Sequence, residues 1–61
     1  MPEIKIICVC RHGNVHYQIM IRKPPAATWS LSAMGVMTLA EFDAFARGIG
    51  DAIPIEWRVP D

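Results

Sequence analysis

The sequence predicts an α+β fold, and three observations predict it. Residues 3–11 and 15–22 are β-branched and apolar, Gly13-Asn14 stands between them, and a capped helical pattern opens at Thr38. The expected order is a β-hairpin, a short third strand, one amphipathic helix and a final strand. The helix packs on a three- or four-stranded sheet, and residues 1–61 form one domain.

The hairpin is the strongest of these signals. If Gly13-Asn14 is the two-residue loop, with glycine taking the positive φ such a turn needs, Cys10 lies opposite Tyr17, Cys8 opposite Ile19 and Ile6 opposite Ile21. Side chains alternate along a strand. One face then collects Ile4, Ile6, Cys8, Cys10, Tyr17, Ile19 and Ile21, almost wholly apolar. The other collects Lys5, Ile7, Val9, Arg11, His16, Gln18, Met20 and Arg22. A slip of one residue would mix the two sets, so the faces are well specified.

Pro24-Pro25 ends the second strand, because proline has no N–H to give a ladder. Trp29, Leu31 and Ala33 alternate with Ser30 and Ser32, which suits a short third strand broken at Gly35. Thr38 and Glu41 have the spacing of a capping box, and Met37 and Phe42 that of a hydrophobic staple. Leu39, Phe42, Phe45, Ala46 and Ile49 share one side of the helix; Glu41, Asp43, Ala44 and Arg47 share the other. Gly48 or Gly50 ends it. Ile53, Ile55, Trp57 and Val59 then alternate with Pro54, Glu56 and Arg58 as a last strand starting at a sheet edge.

The chain of 61 residues is 52% hydrophobic and 20% charged, which excludes intrinsic disorder. A domain of this size buries only about 60% of the surface its unfolded chain exposes, so its margin of stability is thin. Two cysteines one residue apart are too few, and too badly placed, for a disulfide scaffold. Reduced thiols in the cytoplasm are the expectation. No apolar run approaches the ~18 residues of a membrane span, and the N-terminus does not read as a secretory signal. Formal net charge is zero, yet residues 1–23 carry four basic side chains against Glu3, while residues 38–61 carry two against five acidic ones.

Candidate chemistry is sparse. Cys8, Cys10, His12 and His16 are all zinc-ligand types, but an extended strand spreads the first three and turns His16 to the other face, so no metal and no cofactor is expected. Ser30 and Ser32 lack a nucleophile-elbow context, and the cysteines are assigned to the core face rather than to an electropositive cleft. Met1-Pro2 resembles the start of the small tautomerases, which use an N-terminal proline as base. Those chains follow the first strand with a helix, whereas a hairpin follows here, and no enzyme activity is expected. Nucleic acid is not an expected partner either, because a neutral chain presents few cations to phosphates.

What remains is association. Small folds lacking disulfides or metals gain stability from partner subunits. On the second hairpin face Ile7, Val9 and Met20 form an apolar centre rimmed by charge, the layout either of an interface or of a surface half covered by the C-terminal segment. Together with Trp29, Met34 and Met37 they are the expected partner-contacting residues. The expected function is that of a non-enzymatic interaction module, a homo-oligomer that binds a larger protein and modulates or inhibits it. Virus-encoded inhibitors of host defence are one class of that size and style. The alternative is an oligomer that sequesters a nucleotide or other anion on Lys5, Arg11, His16 and Arg22.

Overall fold

The computed structural model describes residues 1–59. Its elements are β1 (Glu3–Arg11), β2 (Asn14–Arg22), β3 (Ser30–Thr38), α1 (Leu39–Ile49) and β4 (Ile55–Arg58). They form one sheet in the order β3-β2-β1-β4, with β4 parallel to β1 and the other pairs antiparallel. From β3 at one edge the chain runs through α1 to reach β4 at the other edge. The helix covers one side of the sheet only, so the molecule is two layers deep and its shortest dimension is 16 Å.

The hairpin turn is His12-Gly13 rather than Gly13-Asn14. Both residues have positive φ, 52° and 78°, as a tight hairpin turn requires, and Asn14 is the first residue of β2. Cys8 therefore pairs with Tyr17, Cys10 with Val15 and Ile6 with Ile19, a shift of two residues from the expected register. A shift of two leaves every side chain on its own face. The helix-facing set stands as read, and Val15 joins it fully buried.

β3 is longer than the sequence suggests. Gly35 does not break it; the strand continues through Gly35 to Thr38. The ladder shifts once, between Ile19–Ala33 and Met20–Leu31, leaving Ser32 as the extra residue of a β-bulge. That bulge reverses the alternation. Leu31 comes to stand opposite Met20, on the same side of the sheet as Met34 and Val36.

Thr38 caps α1 as the sequence predicts. Its Oγ1 accepts the Glu41 backbone N–H at 3.1 Å, and the Thr38 N–H donates to Glu41 Oε1 at 3.0 Å. At the other end Gly50, with φ of 55°, donates its N–H to the Ala46 carbonyl. The core beneath the helix is Ile6, Cys8, Val15 and Phe42, with Tyr17, Ile19, Met37, Ala46, Ile49, Ile53 and Ile55 packed round it. Met37 and Phe42 are both among these residues, where a staple would place them. Cys10 shares the core face by parity but is exposed, correcting its assignment to the interior.

Candidate interaction surface

The side of the sheet away from α1 has no second layer. Paired residues lie on the same side of a sheet, so the register alone assembles this surface. Ile7 and Val9 from β1, His16, Gln18 and Met20 from β2, and Leu31, Met34 and Val36 from β3 all belong to it. Leu31, Met34 and Val36 are 51%, 64% and 56% exposed, far beyond what a solitary surface apolar residue needs explained. Between β1 and β3 the surface dips into a concavity of about 270 Å³. Ile7, Val9, Met34 and Val36 line it, with Arg11 and His16 beside them.

Charge surrounds this apolar centre. At one end Arg22 grips Glu3: its Nη2 donates to both carboxylate oxygens, at 2.8 and 2.9 Å, and its Nε donates at 3.2 Å. Trp29 lies against the same corner, with Lys5 Nζ 4.5 Å and the Arg22 guanidinium carbon 4.7 Å from its ring centroid. Along β4, Arg58 donates to Glu56 at 2.9 Å. The hydrogen bond and the charge of Arg58, with a smaller contribution from Lys5, hold the Glu56 carboxyl below its ordinary range.

The expected partner-contacting set is thus mostly brought together. Ile7, Val9, Met20 and Met34 lie on the open face, and Trp29 stands at its corner against Lys5 and Arg22. Met37 does not belong. It pairs with Val15 on the helix side and packs into the core. Leu31 and Val36 belong but were not in the expected set. The alternation of residues 29–33 groups Leu31 with Ala33, which pairs with Ile19 on the helix side; the bulge at Ser32, which has no sequence signal, turns Leu31 to the open face.

The four residues of the anion reading do not converge on one point within one chain. Arg11 and Lys5 sit six residues apart on β1, about 20 Å at a strand's rise per residue. Arg22 is already paired with Glu3. Lys5 and Arg22 stand together against Trp29 at one end, and Arg11 and His16 line the concavity at the other.

The remaining reactive groups stand elsewhere. Cys8 is fully buried under α1, and that burial pushes its thiol above the ordinary value, which makes it a poor nucleophile. Among the described residues no three His, Cys, Asp or Glu side chains stand close enough to hold a metal ion. No described helix is long and apolar enough to cross a membrane. Compared with family models, with curated proteins and with solved structures, the chain finds no match.

Proposed function

We propose that this chain is a non-enzymatic interaction module that binds a larger protein through its open sheet face and, by occupying that protein's surface, modulates or inhibits it. The observation that carries the reading is the contiguous exposure of Leu31, Met34 and Val36 beside Ile7, Val9 and Met20, inside a charged rim. An apolar centre with a polar margin is the common anatomy of a protein–protein contact. Met and aromatic residues, which adapt or anchor, are enriched in such contacts. The rim at Lys5, Arg11 and His16 favours a partner whose own apolar patch is bordered by acidic groups. Such complementarity acts mainly on the rate of encounter.

The test is a photo-crosslinking residue at Gln18, in the middle of the open face, with the same residue at Ala44 on the exposed side of α1 as control. Both positions are exposed. A single larger protein captured at 18 and not at 44, with capture reduced by Arg11→Glu and by added salt, supports the reading. Equal capture at both positions, or none at 18, sinks it.

The alternative ligand, a nucleotide or other anion, draws on Arg11 and His16 beside the concavity. A shift in melting temperature with nucleotide would favour it, since a ligand selective for the native state raises stability by mass action.

A further inference from the structure

The two edges of the sheet are built differently. β4 is four residues long, carries Glu56 and Arg58, and is preceded by Pro54, three of the devices by which proteins blunt an edge strand. β3 has none of these three, and its one irregularity, the bulge at Ser32, lies toward its N-terminal end and leaves residues 33–38 regular. It runs nine residues, SLSAMGVMT, without a charge or a proline, and seven of the nine are exposed. Its outer row of N–H and C=O groups is a template for another strand.

From these two edges we propose that β3 is the self-association edge of this protein. A second copy pairs antiparallel along it to make one continuous eight-stranded sheet.

The strand's own sequence favours a copy of itself as the occupant. Around a two-fold axis normal to the sheet at Gly35, Met34 faces Val36 of the second copy and Ala33 faces Met37. Apolar side chains meet apolar ones, the cross-strand pairs that stabilise antiparallel ladders. No like charges are brought together, because β3 has no charge.

Surface area points the same way. A monomeric protein of 6.8 kDa is expected to expose about 4,000 Å². This chain exposes 4514 Å². The excess, about 500 Å², is more than half of the ~800 Å² that each partner contributes to a standard interface. A two-fold contact is also the commonest closed assembly, and it uses up both copies of the free edge. The inference does not depend on the proposed binding of a larger protein; pairing would place the two open faces side by side on one surface.

Solution mass and charge variants test it. The parent chain is expected at twice 6.8 kDa by sedimentation at micromolar concentration. Val36→Lys combined with Met34→Lys places lysines of both copies opposite one another and should weaken association at least tenfold. Val36→Lys combined with Met34→Glu matches opposite charges across the axis and should restore it. Circular dichroism confirms that each variant is folded. A folded monomer at millimolar concentration overturns the proposal. So does a dimer indifferent to both pairs of substitutions but broken by Trp57→Lys at the other edge, or a monomer that takes up a strand only from another protein. Loss of the larger partner at Gln18 with the dimer intact would instead count against the proposed function alone.

Discussion

The ring of Tyr17 lies across Gly35, its neighbour on β3, so closely that a Cβ built on Gly35 would stand 2.6 Å from Tyr17 Oη and 2.9 Å from Cζ. An aromatic ring covering a cross-strand glycine shields backbone that the glycine would otherwise leave bare. It also explains why the strand passes through Gly35 rather than ending there.

Gly35→Ala is therefore expected to destabilise the fold by about 1–3 kcal/mol, the usual cost of forcing an extra methyl into packed surroundings. Tyr17→Phe removes the nearest atom and should recover part of that loss, though not all, because Cζ remains within 2.9 Å. Urea denaturation of the two single variants and the double variant measures the coupling. An additive result would show that the ring and the glycine are independent.

The hairpin illustrates how much of the fold can be read in the residues. Two apolar strands, their faces, the capped helix and the final strand were all legible, because burial imposes periodicity and caps impose spacing. The turn was misplaced because Gly-Asn and His-Gly both suit a two-residue loop by composition, and the faces alone cannot separate registers two apart. The side taken by Leu31 was not legible, because the bulge at Ser32 leaves no mark in composition. Of the candidate surface, β1 and β2 were legible through their pairing, whereas β3 depended on that bulge.

His12 holds a left-handed backbone conformation, φ of 52°, that side chains with a Cβ disfavour. Asparagine tolerates that region better and is favoured in this turn position. His12→Asn should raise stability by several tenths of a kcal/mol and His12→Val should lower it by about 1 kcal/mol or more. Thermal melts at one pH and protein concentration decide it. If the Gly13-Asn14 loop were correct instead, His12 would be an extended strand residue and His12→Val would be tolerated.

Phe42 and Trp57 meet edge to face, with ring centroids 5.2 Å apart and planes at 75°. Their burial nevertheless differs: Phe42 is 4% exposed and Trp57 52%. Phe42→Ala should cost about 3–5 kcal/mol. A core this small supplies a net stability of only about that size, so the variant should be largely unfolded at room temperature. Trp57→Ala loses the edge contact, worth about 0.5–1.5 kcal/mol beyond its buried area, and should remain folded. Trp57 pairs with Cys8 on the helix side, but the short edge strand leaves half of it uncovered. Equal losses at both positions would mean that something covers Trp57 in solution.

Glu41 connects the helix cap to pH. The Thr38 backbone N–H donated to its carboxylate, and then the Thr38 side chain, hold the Glu41 carboxyl below its ordinary value. In the unfolded chain the same carboxyl takes up a proton at higher pH than in the native one. The cap's contribution is consequently complete above the ordinary glutamate range and is lost as pH falls through the lowered native value. Glu41→Gln keeps an oxygen that accepts from Thr38 but cannot titrate. Its stability should fall less steeply than the parent's between about pH 5 and pH 3. Glu41→Ala removes the acceptor and should be less stable than the parent at neutral pH. Glu56 titrates alike in all three chains, so the difference between their urea midpoints isolates Glu41. Parallel curves for the parent and the glutamine variant would show that the cap does not depend on the charge.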